Sequence, residues 1–137
     1  MSPQVNVAQS YRRIATETAS PAQQVAMLFD GAIKFLERAL LGFGSEDPLE
    51  FNLTIHNNIQ RAQAIIHELN FALDLEAGGD LAATLRRLYL YFDWRLDQSN
   101  RLKSSEGVKE ILTRLTTLRD AWDKMLHQQE PAGMGHR

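Results

Sequence analysis

The stretch LRRLYLYFDWRL, residues 85–96, carries apolar side chains on nearly every side of the helix that it predicts. Leu88 and Phe92 lie four residues apart, which is typical of the buried stripe of an amphipathic helix. Because a helix turns by about 100° per residue, Leu90 and Trp94 point roughly 160° away from that stripe. The two pairs cannot reach one core. The stretch therefore predicts a bundle helix that also has a second apolar face.

Two further helices are predicted before this stretch. Ser20 can cap a helix that has Pro21 in its first position, and Asp47 with Pro48 repeats the same start signal. Apolar residues follow each start at spacings of three and four. Gly78 and Gly79 are expected to end the second helix, because glycine readily takes the left-handed conformation that closes a helix.

The third helix is then expected over residues 81–103, with a buried stripe that begins at Leu81, and a fourth runs from Val108 until shortly before Pro131. Four helices with short connections, and no strand-like alternation, predict an all-α fold. The expected architecture is an antiparallel four-helix bundle with a mobile N-terminal arm. Its predicted core includes Leu28, Ile59, Leu69, Leu88, Leu115 and Trp122.

A chain of 137 residues, with 44% hydrophobic and 23% charged residues, is of the size and composition of one globular domain. Residues 20–130 are predicted to form the bundle. Residues 1–19, rich in Ser, Thr, Gln and Asn, are predicted to form the flexible arm, and residues 131–137 a disordered tail.

Composition argues against several classes of function. The net charge of −2 gives no electrostatic footprint for nucleic acid, and the absence of cysteine excludes disulfide scaffolds and thiolate sites. No apolar run approaches the roughly 20 residues that span a bilayer, so no membrane insertion and a cytoplasmic location are expected. The four histidines do not form a Glu-x-x-His motif, and we expect no catalytic residue, no metal ligand and no cofactor.

Apolar side chains outside the predicted core concentrate on the second and third helices. Phe71 and Leu75 fall opposite the stripe of the second helix, while Tyr89 and Tyr91 flank the stripe of the third. A contiguous exposed apolar area usually marks an interaction site. The candidate binding residues are Tyr11, Ile14, Phe71, Leu75, Tyr89, Leu90, Tyr91 and Trp94.

Three occupants of this surplus apolar surface stay open from the residues alone. The N-terminal arm or the loop around Phe43 could cover it within the monomer, a second copy could cover it in a homodimer, or a foreign apolar segment could dock on it. We favour the foreign segment, because the surface of a bundle offers a trough that suits an amphipathic helix.

Several motifs resemble, in the same order and without large gaps, the flagellin-specific secretion chaperones of the FliS family. They are Thr18-Ala19-Ser20-Pro21, Met27-Leu28-Phe29-Asp30-Gly31-Ala32, Ile66-x-Glu68-Leu69-Asn70, Leu73-Asp74, Gly78-Gly79, Leu88-Tyr89-x-Tyr91 and Arg95-Leu96 with Asn100. Each motif alone is weak, and the ordered set is specific.

The resemblance implies a cytoplasmic four-helix bundle that binds the disordered C-terminal segment of flagellin, stops premature polymerisation and delivers flagellin to the flagellar type III export apparatus. It also implies that an arm bearing Tyr11, with Ile14 beside it, lies over the bundle and moves when flagellin binds. An export-gate component or a co-chaperone stays open as an additional partner. The chain departs from the family pattern at Leu90, where an acidic residue is common, and at Phe29, where tyrosine is usual.

Overall fold

The structure, a computed structural model, describes residues 19–129, which contain four α-helices. Helix α1 spans Pro21–Gly42, α2 spans Pro48–Phe71, α3 spans Leu75–Leu102 and α4 spans Ser105–Gln129. No strand occurs in this part of the chain. The predicted all-α fold is confirmed. The predicted arm, apart from its last residue, and the predicted tail lie outside the described residues.

The contacts between helices show that neighbours run antiparallel. Nδ1 of His56, in the first half of α2, lies 3.0 Å from the side-chain amide nitrogen of Asn100, which is near the end of α3. The indole nitrogen of Trp122, near the end of α4, donates a 2.9 Å hydrogen bond to the backbone carbonyl oxygen of Ala22, at the start of α1. Both α1 and α3 pack on α2 and on α4. The helices therefore form a closed up-down-up-down bundle.

The first two helices begin where the sequence predicts. The backbone N–H of Gln23 donates to Oγ of Ser20 at 3.1 Å, and the backbone N–H of Ser20 donates back to Oε1 of Gln23 at 2.9 Å. The backbone N–H of Leu49 donates to Oδ1 of Asp47 at 2.9 Å. These side chains satisfy N–H groups that have no partner inside the helix.

The end of the second helix was predicted wrongly. Helix α2 ends at Phe71, and Asp74 already caps α3 by accepting a hydrogen bond from the backbone N–H of Glu76 at 3.1 Å. A capping carboxylate can start a helix directly after a connection, and Asp74 precedes Gly78 and Gly79 in the sequence. The new helix therefore begins before the glycines. Gly79 instead breaks α3 with φ 53° and ψ −133°, a conformation that side-chain-bearing residues rarely adopt.

The core lies where the four helical stripes meet. Of the predicted core residues, Ile59, Leu69 and Leu115 are buried, whereas Leu28, Leu88 and Trp122 are half-buried and pack against the buried cluster. Burying one such large apolar side chain contributes about 1.5–3 kcal/mol. The largest fully buried apolar side chains are Leu36, Ile55, Ile59, Ile66, Phe92, Leu96, Ile111 and Leu115.

Helices α1 and α2 approach each other closely at Gly42. A Cβ atom added there would lie 2.8 Å from Cγ2 of Thr54 and 3.2 Å from Cγ1 of Ile55. One of these contacts is shorter than real Cβ atoms make, so a larger residue would force the helices apart. Glycine at this position therefore fixes the end of the bundle opposite the start of α1.

Candidate functional site

An apolar cavity of about 280 Å³ opens at the end of the bundle where α1 begins and α4 ends. All four helices and the connection between α2 and α3 contribute to it. Voids in close-packed protein interiors are rarely larger than the volume of one water molecule, so the volume of this cavity is too large for an ordinary packing defect. Its lining residues are Val25, Phe29, Leu69, Ala72, Leu73, Leu81, Leu85, Tyr89, Leu118, Ala121, Trp122 and Met125.

Aromatic side chains with fixed orientations form part of the cavity wall. The ring centroids of Phe29 and Trp122 are 6.5 Å apart, and the planes are tilted by 52°. The hydrogen bond from the Trp122 indole to Ala22 fixes the orientation of this ring. Burial raises the pKa of Tyr89 to about 12, so its hydroxyl stays protonated at neutral pH. The cavity thus presents uncharged, largely apolar chemistry.

The predicted exposure of the Tyr89 and Leu81 side chains was wrong. Tyr89 was expected on an exposed flank, yet it is only 3% exposed, while Leu81 was expected in the core and is 69% exposed. The buried residues of α3 begin at Ala82 and continue with Tyr89, so the buried face is rotated from the predicted stripe. Leu81 and Tyr89 both follow the break at Gly79, so they lie on the same continuous part of α3, and a rotation of this part about its axis moves Tyr89 into the core and Leu81 out of it.

A second apolar surface lies on the outside of α3, and we call Leu90, Tyr91 and Trp94 the outer patch. Leu90 is 53% and Trp94 is 51% exposed, as the sequence predicts. Tyr91 is half-buried, and its ring centroid lies 5.9 Å from that of Trp94. The outer patch therefore offers two exposed side chains on one rigid aromatic support.

One edge of the outer patch is held by a charged cluster between α3 and α4. The Glu110 carboxylate accepts hydrogen bonds from the Tyr91 hydroxyl at 2.7 Å, from Nε of Arg95 at 2.9 Å and from Nε of Arg114 at 3.2 Å. The bond from Tyr91, followed by that from Arg95, holds the pKa of Glu110 below its ordinary value. The same bond raises the pKa of Tyr91. The guanidinium of Arg114 also lies 5.6 Å from the centroid of the Tyr91 ring.

Phe71 and Leu75 form a separate exposed pair beside the connection between α2 and α3. Phe71 is 94% exposed, and Leu75 is also exposed. Leu75 lies before the break at Gly79, and Leu90 lies eleven residues after it, which corresponds to about 16 Å of helix. The structure therefore does not bring this pair together with the outer patch in one continuous groove. Two other predicted residues, Tyr11 and Ile14, lie outside the described residues.

Sequence reasoning missed the cavity. Val25, Leu85 and Leu118 lie on stripes predicted to face the core, and they do pack against it, but they also line the cavity. Helical periodicity gives the direction of a side chain around its helix, and it does not give the distance between helix ends. The small residues Ala72 and Ala121 among large apolar neighbours are the one signal that could have indicated this space.

Polar chemistry is sparse in the part of the chain that the structure describes. Residues 19–129 contain no group of three or more His, Asp or Glu side chains that could hold a metal ion. Nε2 of the exposed His67 lies 3.0 Å from the Asp93 carboxylate, and the exposed His56 contacts Asn100. Within the same residues, none of the helices is long and apolar enough to cross a membrane.

The ordered motifs, the bundle and its apolar surfaces are consistent with one family of flagellar proteins. The sequence model of the family described as "Flagellar protein FliS" matches residues 4–129 of this chain. The chain belongs to the FliS family. The match includes all four helices, so the cavity and the outer patch both belong to the FliS region.

Curated relatives support the same assignment over most of their length. The flagellar secretion chaperone FliS of Bacillus subtilis (strain 168) is 30% identical over 120 residues, which cover 88% of this chain and 86% of the relative. The FliS of Salmonella typhimurium (strain LT2) is 32% identical over 120 residues, 85% of this chain and 87% of the relative. The FliS of Escherichia coli (strain K12) is 31% identical over 122 residues, 86% and 88% of the two chains.

Proposed function

We propose that this flagellar secretion chaperone works in the cytoplasm, where it binds the disordered C-terminal segment of flagellin, prevents premature polymerisation and delivers the subunit to the flagellar type III export apparatus. The observation that carries the proposal is an open apolar cavity, accompanied by an exposed aromatic patch, on a member of the FliS family. In this role the chain acts by binding and without catalysis.

The geometry suits a client that folds as it binds. A disordered segment loses conformational entropy when it docks, so it needs several separated apolar anchors to offset that cost. The cavity and the exposed pair Phe71 and Leu75 supply such anchors at one end of the bundle, and the outer patch supplies another farther along α3. An amphipathic segment that spans them would bury its apolar side chains in sequence.

The N-terminal arm is proposed to cover part of this surface until flagellin arrives. Helix α1 starts beside the cavity, since Ala22 bonds the Trp122 indole that forms its wall. Tyr11 lies eight residues before Ala19, and an extended chain of that length reaches up to about 27 Å. Tyr11 and Ile14 are therefore within reach of the cavity and are the proposed competitors of the client.

Calorimetric titration with a flagellin C-terminal peptide tests the proposal. We expect binding of one peptide per chain with a negative heat-capacity change, because apolar surface is buried. A peptide of the same composition in scrambled order is the control, and it should give no saturable heat. Absence of binding by the native-order peptide under these conditions would overturn the proposed function.

A self-associating structural bundle without a client is the second candidate, and the exposed side chains of the outer patch are the observation that favours it. Sedimentation of the purified chain separates the two candidates. A tight dimer that the flagellin peptide does not dissociate or alter supports the self-associating bundle, whereas a monomer that takes up the peptide supports the chaperone. Capture of an export-gate component or a co-chaperone by the loaded complex would add a further partner.

A further inference from the structure

Arginine side chains border the outer patch on the side that faces α4. Arg95 and Arg114 share the single carboxylate of Glu110. Arg87 stands four residues before Tyr91, on the same face of α3, and donates to the neutral hydroxyl of Thr84 at 3.2 Å. These three guanidinium groups lie on the edge of the outer patch that faces α4, next to Tyr91.

The carboxylates on the α4 side of the outer patch do not balance the positive charge of these arginines. Glu110 is fully engaged by three donors, and Glu106 is the second carboxylate that acts on Arg95. Asp93 and Asp97 lie on the other edge of the patch, where Asp93 contacts His67 of α2 and Asp97 pairs with Arg101. On the edge that faces α4, three guanidinium groups and two carboxylates leave an excess of one positive charge, whereas the chain as a whole has a net charge of −2.

Arg114 is the best placed of these groups to bind an anion. It contacts Glu110 through Nε, and its side chain is exposed. A guanidinium has five N–H donors, so further donors remain for a planar carboxylate. The Tyr91 ring below it fixes its position, with 5.6 Å from the ring centroid to the guanidinium carbon. The positive charge is therefore held directly beside the exposed apolar side chains.

We propose that the flagellin segment that docks on the outer patch is an amphipathic helix with a carboxylate one turn from its apolar anchor. The anchor packs on Leu90 and Trp94, and the carboxylate pairs with Arg114. Side chains three or four residues apart lie on the same face of a helix, which matches an apolar surface with a basic edge. This inference rests on the proposed function and specifies the chemistry of the client at one of its docking positions.

The same charges disfavour a second copy of this chain as the occupant. A two-fold dimer through the outer patch would place each patch against its own copy. Wherever the basic edge lies on the two-fold axis, its excess positive charge would face an equal positive charge, which costs free energy in a desolvated interface. Charge complementarity therefore favours an acidic partner over self-association.

A double-mutant cycle tests this inference. Calorimetry compares the native-order flagellin peptide with a variant in which every Asp and Glu is Asn or Gln, each titrated into the wild-type chain and into Arg114→Glu. We expect the amide peptide to bind the wild type about tenfold more weakly, and Arg114→Glu to weaken the acidic peptide by a similar factor while hardly affecting the amide peptide. Arg38→Glu, an exposed arginine on α1, which is the helix diagonal to α3 in the bundle, is the matched control and should change neither affinity.

The outcomes are distinguishable. If the acidic peptide fails to bind the wild type, the proposed function fails and this inference with it. If it binds the wild type but the amide peptide binds equally well, or if Arg114→Glu weakens both peptides equally, the inference alone is overturned. Arg87→Glu repeats the cycle without touching Glu110, so the test holds even if Arg114→Glu disturbs folding.

Discussion

The hydroxyl of Tyr91 on α3 donates a 2.7 Å hydrogen bond to the carboxylate of Glu110 on α4. This bond joins the two helices next to the outer patch and orients the ring that supports Trp94. Hydrogen bonds to a charged acceptor are stronger than neutral ones. The exposed side of the patch is therefore pre-organised by a polar contact beneath it.

Glu110→Gln should lower the free energy of unfolding by about 1 kcal/mol at pH 7, because the amide loses the charge that three donors share. The pKa of Glu110 is depressed in the folded chain, so its stabilisation is complete above the unfolded-state pKa of about 4.3 and is lost as the pH falls through the folded value. Urea unfolding at pH 7 and at pH 3 should show the difference shrinking in acid.

Glu37→Gln on the exposed surface of α1 is the control for this measurement, and it should change the free energy of unfolding by less than about 0.5 kcal/mol. A difference between Glu110→Gln and the wild type that is the same at both pH values would contradict the assigned role of the carboxylate.

Leu90→Ala with Trp94→Ala should weaken binding of the flagellin peptide by tenfold or more, at about 1.4 kcal/mol per decade, and leave thermal stability nearly unchanged. Both side chains are half exposed, so truncation removes little core packing. Phe92→Ala between them is the control, since that ring is buried and its loss should cost about 3–5 kcal/mol of stability. Destabilisation by several kcal/mol in the double variant would mean that the outer patch belongs to the core.

Ala121→Phe should block the cavity. Ala121 lines it, so a phenyl ring at this position would fill space that a client side chain otherwise occupies. We expect the affinity for the peptide to fall about tenfold while the melting temperature is kept or raised, because the ring buries apolar surface. Ala64→Phe, on the exposed side of α2, is the matched control. Unchanged affinity in Ala121→Phe would show that the client does not enter the cavity.

Gly42→Ala should destabilise the bundle by about 1–3 kcal/mol, because the new methyl group would overlap Cγ2 of Thr54. Gly31→Ala is the comparison within α1. There the nearest atom is Cδ1 of Ile65 at 3.1 Å, the end of a flexible side chain, and alanine favours the helix by up to about 1 kcal/mol. Chemical denaturation of both variants gives their free energies of unfolding, and Gly42→Ala should be the less stable of the two. Equal stability of the two would contradict the close approach at Gly42.

Much of the fold could be predicted because caps and periodicity are local properties. Ser20 and Asp47 start helices in the structure as they do in the sequence pattern. The end of α2 could not be predicted with the same rules, since both the Asp74 cap and the Gly78-Gly79 pair are valid signals at that connection. Leu73 at that connection packs against the core, and this is a contact that local signals do not contain.

The exposed candidates were predictable only in part. Leu90, Trp94 and Phe71 are exposed as expected, because each points more than a quarter turn from its stripe. Tyr89 lies near the edge of the stripe, where a small rotation of α3 moves a side chain from the surface to the core. The cavity depends on how far apart the helix ends stand, which no single helix encodes. Binding by any of these residues stays a prediction.

The bond between Trp122 and Ala22 joins the first helix of the bundle to the last across a sequence separation of 100 residues. Because the recess beside it needs Trp122 and Met125, a ribosome must synthesise the chain through residue 125 before that recess exists. A growing chain therefore has no completed pocket, and a nonsense mutation upstream of residue 118 would remove a wall as well as the last helical turns.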